Sequence, residues 1–254
     1  RQLHCVRASD GRDIWRAPID AGASGELLLT TSNLFACVRE GQLSCFDIEG
    51  TATSARMLWS TAVGCVVGTP CAAGDLILVA TSDRGVMGVE SLSGQVRWRQ
   101  MPSQQVLSSP VVNDDVAVIA TQDRLKGLSL DNGAVLWQMP CNPAALPLCA
   151  DEERVVCVTT RGQVLATTWG GKELFRMDGA RPDYPASLLG DSLLFADSLG
   201  ALQKAELGRS VSTIRWLDAK WLGPLVAPPL LGDGVVYFST LEKGLICARQ
   251  QGKR

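Results

Sequence analysis

An aromatic residue recurs along this chain at positions 15, 59, 98, 137, 175 and 216, giving spacings of 44, 39, 39, 38 and 41 residues. Units of about 40 residues made of short apolar segments cannot bury their hydrophobic faces alone, so they must stack on one another. A glycine stands four residues before the aromatic in four of the copies: Gly11–Trp15, Gly94–Trp98, Gly133–Trp137 and Gly171–Phe175. Looser copies, with longer turns, end at Trp59 and Trp216. This period is the signature of propeller blades.

Each unit reads as four strands. In one of them the expected strands are Leu107–Val112, Val116–Thr121, Gly127–Leu130 and Ala134–Gln138, with a turn over Gln122–Lys126. Asp131–Asn132–Gly133 supplies the last hairpin, since Asn-Gly suits positive φ. Inner strands should be near-continuously apolar, because neighbouring blades cover both faces. No segment keeps a 3.6-residue apolar period long enough for a long helix. The expected fold is therefore all-β, a β-propeller of four-stranded antiparallel blades with about six repeats. A seven- or eight-bladed parent ring stays open. The expected domain is single, spanning 1–254, with units near 1–20, 21–63, 64–102, 103–141, 142–179, 180–220 and 221–254. The aromatics Trp15, Trp59, Trp98, Trp137, Phe175 and Trp216 are expected to dock each blade on the next, because such a side chain can bury roughly 150–250 Å².

The G-x-x-x-W endings and the strand entry Ser108–Ser109–Pro110–Val111–Val112, with Gly68–Thr69–Pro70 as a variant, resemble the pyrroloquinoline-quinone-like repeat family. The resemblance spans almost the whole chain and is specific for fold rather than for function. It implies three kinds of relative: quinoprotein dehydrogenases, non-enzymatic propellers of outer-membrane assembly, and propellers fused to adenylate-forming enzymes. The dehydrogenases resemble longer, eight-bladed chains with an adjacent Cys-Cys pair, which this sequence lacks. The non-dehydrogenase branch is therefore expected, and the domain reads as part of a larger protein.

The ring could close by setting Ile14–Ile19 as outer strand on a last unit made of Leu225–Leu231, Val235–Thr240 and Leu245–Arg249. In that arrangement Leu3–Arg7 is surplus, so it is either displaced or preceded by further strands in a larger ring.

Net charge is −2, which offers no general attraction to nucleic acid or an anionic membrane. No apolar run approaches the roughly 20 residues of a membrane helix. The nine cysteines are odd in number, lack C-x-x-C spacing, and several lie in apolar segments. They read as reduced core thiols, and so as a cytoplasmic protein.

His4 is the single histidine, and no phosphate loop or EF-hand spacing is present. No catalytic residue, cofactor or metal site is expected. The turn between second and third strands carries a base in five of six units, Arg39, Arg84, Arg124, Arg161 and Lys243, with Asp197 breaking the series. In a propeller these turns share one face, which suits an acidic partner or a phosphate-bearing group. Trp221, outside the docking series, is a second candidate anchor. The expected function is a non-catalytic scaffold that binds a protein or a neighbouring domain of the same polypeptide. Two alternatives stand beside it: a quinoprotein oxidoreductase or a fragment of one, with Asp83 or Asp123 helping to hold calcium, and a regulatory propeller of an adenylate-forming enzyme.

Overall fold

Inner segments such as Leu76–Thr81 and Arg154–Val158 are buried at every position, whereas outer segments such as Glu173–Asp178 alternate between exposed and half-buried. That contrast fixes the direction in which each sheet is built. The computed structural model describes residues 2–19, 27–38, 41–48, 55–101, 105–197, 201–207, 211–217, 229–232, 235–240 and 244–249.

The first sheet pairs β1 (Gln2–Val6) with β2 (Asp13–Pro18). The second runs β3 (Leu28–Leu29), β4 (Asn33–Val38), β5 (Gln42–Asp47), β6 (Arg56–Ala62). The third runs β7 (Cys71–Ala73), β8 (Leu76–Thr81), β9 (Gly85–Glu90), β10 (Val96–Gln100). The fourth runs β11 (Val111–Val112), β12 (Val116–Ala120), β13 (Arg124–Ser129), β14 (Val135–Pro140). The fifth runs β15 (Cys149–Ala150), β16 (Arg154–Val158), β17 (Gln163–Thr168), β18 (Glu173–Asp178). The sixth runs β19 (Ser187–Leu189), β20 (Ser192–Ala196), β21 (Leu202–Leu207), β22 (Val211–Leu217). The last has β23 (Leu230–Gly232), β24 (Val235–Thr240) and β25 (Gly244–Arg249). Each is a meander in sequence order.

The chain comprises two compact units, Arg1–Ala117 with Leu128–Leu136, and Val118–Gly127 with Trp137–Arg254. In the first, the two-residue period of a strand splits β4 and β5 between two neighbours. Leu34, Ala36 and Phe46 pack with Leu3 and Ala17 of the β1–β2 sheet. Phe35, Cys37, Leu43 and Cys45 pack with Ile77, Val79, Met87 and Val89 of β8 and β9. The second unit repeats the device: Val156, Val158, Val164 and Ala166 meet Leu193, Phe195, Ala205 and Leu207.

β2 pairs along its length with β1, from Gln2↔Pro18 to Val6↔Asp13, so Leu3–Arg7 is a strand in place beside Ile14–Ile19 and is not displaced. Two details differ from the sequence reading. First strands are shorter than expected, as at Val111–Val112, and Leu225–Pro228 lies outside the described residues. The third strand starts at Arg124 rather than Gly127, because the N–H and hydroxyl of Thr121 both donate to Arg124 O, at 2.9 and 3.0 Å. The turn therefore closes over Gln122 and Asp123 alone.

Thr81 does the same work one sheet earlier. Its hydroxyl donates to Gly85 O at 2.9 Å and accepts the N–H of Arg84 at 3.0 Å, in a fully buried setting. Thr81→Val removes both bonds from a buried side chain, so stability falls by about 1–2 kcal/mol. A urea melt followed by circular dichroism checks this.

Candidate functional site

The repeat motif is consumed by the joints between sheets. Trp59 Nε1 donates to Ser91 O at 3.0 Å, Trp98 Nε1 to Leu130 O at 2.7 Å, and Trp137 Nε1 to Trp169 O at 2.8 Å; each acceptor lies 32 residues on. The same indoles cover the motif glycines of the following sheet. A Cβ on Gly94 would lie 2.6 Å from Trp59 Cδ2, on Gly133 2.5 Å from Trp98 Cε3, and on Gly171 2.4 Å from Trp137 Cδ2. Trp98 also covers Gly88, and Trp137 covers Gly127, each on the indole's own third strand. Trp15 packs half-buried beside Leu3 and Ala17, and Phe175 packs on the core of the second unit with no N–H to donate. The side chain of Trp216 lies outside the described residues.

The turns between second and third strands carry the basic series. Among the described members, Arg84 is 3.6 Å from Asp83 and Arg124 is 2.5 Å from Asp123, so these two cations are countered by their own neighbours. Arg124 also donates to Gln138 Oε1 at 3.1 Å. Arg161 is exposed and makes no ion pair among the described residues. Asp197, the break in the series, accepts the N–H of Ala201 at 2.8 Å and the amide of Gln203 at 2.7 Å. Arg39, Lys243 and Trp221 lie outside the described residues. Asp83, the residue assigned to calcium in the quinoprotein alternative, accepts the N–H of Cys65 at 2.8 Å. Among the described residues no three His, Cys, Asp or Glu side chains form a group that could hold a metal ion. His4 pairs with Asp13 at 3.2 Å, and the Asp13 carboxyl is held below its usual range first by Arg16 and then by His4.

Sequence reasoning missed two features. One is the threonine at the end of second strands, Thr81, Thr121 and Thr159, which closes these turns by hydrogen bonds. Its recurrence at blade spacing was the available signal. The other is a groove of about 510 Å³ in the first unit, lined in part by Asp75, Arg97, Asn113, Asp114 and Asp131. Arg97 is held there by Asp75 and Glu90, at 2.5 and 3.3 Å. Its signal was the acidic turns before β8 and β12, at Asp75 and Asp114–Asp115.

All nine cysteines are free thiols. Burial pushes Cys37 and Cys149 up to about 12 and Cys45 to about 11, so almost none of each is thiolate at pH 8. Native alkylation with iodoacetamide at that pH should label the exposed Cys65 and Cys247 first and leave Cys37, Cys45 and Cys149 unlabelled until denaturant is added. Peptide mapping reads the result.

Comparison with known proteins places this geometry in a family. The family described as outer membrane protein assembly factor BamB matches residues 1–169, two thirds of the chain. The chain belongs to the BamB family. Outer membrane protein assembly factor BamB of Bordetella pertussis is 26% identical over 167 residues, covering 64% of this chain and 41% of that protein. The Shewanella oneidensis factor is 31% identical over 147 residues, covering 48% of this chain and 37% of that protein. The chain thus spans less than half the length of these curated relatives.

The crystal structure of BamB from Moraxella catarrhalis superposes with a TM-score of 0.74 at 16% identity, covering all of this chain and 78% of that one. The computationally designed Ika8 protein superposes with a TM-score of 0.74 at 12% identity, covering 94% of this chain and 74% of that one. The fold is accordingly a β-propeller of the pyrroloquinoline-quinone-like repeat type, as its residues imply.

The cytoplasmic reading is corrected by the same relatives, which are outer membrane protein assembly factors and not cytoplasmic proteins. Its physical error is plain. Thiols such as Cys37, Cys45 and Cys157 are sealed in strands, where a cysteine is a small core hydrophobe in any compartment. Among the described residues no helix is long and apolar enough to cross a membrane.

Proposed function

We propose that this chain is a non-catalytic protein-binding scaffold that serves outer-membrane protein assembly from the periplasmic side. The family match over residues 1–169 carries the reading. The geometry supports it in a second way. The motif aromatics and glycines are spent on joints between sheets within each unit, which leaves the turns for recognition. The partner is a protein of the outer-membrane assembly machinery, and the second-to-third strand turns of the second unit, which carry Arg124 and Arg161, receive it.

In those turns Arg161 is exposed and makes no ion pair among the described residues, while Arg124 is countered by Asp123, as Arg84 of the first unit is by Asp83. Arg161→Glu should therefore weaken binding to an acidic partner surface by roughly tenfold, and more than Arg84→Glu does. The test is an affinity series in which the tagged chain and each variant are titrated against purified assembly proteins of the source bacterium. Unchanged affinity for Arg161→Glu removes these turns from the reading. No measurable affinity of the unaltered chain for any of those proteins removes the reading itself.

A further inference from the structure

Asn132 is the one of the chain's four asparagines that a glycine follows; Leu34, Asp114 and Pro143 follow the others. It stands exposed in the turn between β13 and β14, within the first compact unit. An asparagine before glycine can convert to isoaspartate, because a residue without Cβ lets its backbone nitrogen reach the neighbouring carboxamide. Whether it does so in a folded chain depends on how the turn holds the two reacting groups.

Here the turn holds them unequally. Asn132 Oδ1 accepts the N–H of Ala134 at 2.9 Å, so the carboxamide arches over the Gly133 peptide. That donor polarises the carbonyl and stabilises negative charge that develops on its oxygen. The nucleophile is the restrained group. Gly133 N–H donates to Ser129 O at 2.9 Å, and Ser129 N–H to Ala134 O at 2.8 Å. Trp98 clamps the same turn from the neighbouring sheet: its Nε1 donates to Leu130 O at 2.7 Å, and its ring lies against Gly133. Releasing the Gly133 nitrogen therefore requires the joint between the third and fourth sheets to loosen.

The sibling turns share the geometry but not the chemistry. Ser93 Oγ accepts Gln95 N at 3.1 Å while Gly94 N donates to Glu90 O at 2.9 Å, but a hydroxyl offers no carbonyl to attack. Asp10 Oδ1 accepts Arg12 N at 3.1 Å while Gly11 N donates to Arg7 O at 2.8 Å. Its carboxylate is a far poorer electrophile than an amide, and Gly11 carries no indole.

We propose that Asn132–Gly133 is a covalent modification site, a slow recorder of loosening at the Trp98 joint. The Gly133 nitrogen attacks Asn132 Cγ and loses its proton. The carboxamide nitrogen takes up a proton and leaves as ammonia, which closes a succinimide. Water then adds at one imide carbonyl and that C–N bond opens, giving isoaspartate or aspartate. One water is consumed and one ammonia released, with no change of oxidation state. The product adds a negative charge beside Asp131. Isoaspartate also lengthens the backbone under the indole, so the seat does not re-form as it was.

The test holds the 254-residue chain in warm, mildly alkaline buffer and samples it over time. Peptide mapping by mass spectrometry reads the site, and labelling with an isoaspartyl methyltransferase reads the product. The expected result is conversion at Asn132, mainly to isoaspartate, with Asn33 and Asn113 intact, and several-fold slower than in the urea-unfolded chain. Trp98→Ala should speed it several-fold over the unaltered chain. Trp98→Phe, which keeps a ring but drops the bond to Leu130 O, should fall between the two. Asn132 left intact in the folded chain long after the unfolded chain has converted overturns the modification site, and so does earlier conversion at Asn33 or Asn113. Equal rates in the folded and unfolded chain, or in the unaltered chain and both variants, overturn the role of Trp98. Trp98→Phe decides that point even if Trp98→Ala fails to fold.

Discussion

Trp98→Ala should lower stability by about 3–5 kcal/mol, the cost of emptying a large aromatic site. Trp98 is 7% exposed, donates its indole N–H to Leu130 O at 2.7 Å, and covers Gly88 and Gly133. Its removal opens a cavity against β9 and strips the Leu130 carbonyl of its donor. At roughly 2–4 °C per kcal/mol for a chain of this size, the melting midpoint should drop by about 6–20 °C. Calorimetry or circular dichroism reads the change, and a drop of less than about 3 °C would contradict the docking role of Trp98.

Gly133→Val should cost about 3 kcal/mol, from two independent sources. Gly133 has φ of 72°, which a β-branched residue resists, and its Cβ would stand 2.5 Å from Trp98 Cε3. The two sources can be separated. In a Trp98→Ala background the collision is gone, so Gly133→Val should cost only its backbone share, about 1–2 kcal/mol. Gly11→Val is the matching control, because Gly11 has φ of 69° with nothing within 4 Å of its Cβ position. It should show the backbone share alone. Equal costs for Gly133→Val in both backgrounds would mean that the glycine is needed for its turn and not as a seat for the indole.

This pair of residues also marks what the sequence could show. The period and the aromatic were legible, because stacked sheets need a bulky side chain at one fixed position in each unit. The glycine four residues before the aromatic was legible as a turn. Its second role was hidden, since the indole that covers Gly133 is Trp98, 35 residues earlier. Only the stacking of sheets brings the two together. The start of β13 was misread because Arg124 and Lys126 look like loop residues, yet the Thr121 bonds pull Arg124 into the strand and Lys126 is buried. The pairing of β2 was legible in part: Leu3–Arg7 has the pattern of a third strand, and β1 is the partner that β2 takes.

The candidate face was less legible than the fold. Charge along a sequence shows where bases fall but not whether they are spent. Arg124 and Arg161 look alike as letters, and only geometry separates the residue paired with Asp123 from the exposed one. Location was the poorest inference of all, because cysteine content reports core packing here and carries no mark of compartment.

The central claim is that this propeller serves outer-membrane protein assembly without chemistry of its own. The direct measurement is the amount of folded barrel protein in the outer membrane of the source bacterium after the segment encoding these 254 residues is removed, read by heat-modifiable gel mobility. The account predicts a fall in folded barrels that the restored segment reverses. Unchanged barrel levels, with loss of an oxidoreductase activity in their place, would contradict it.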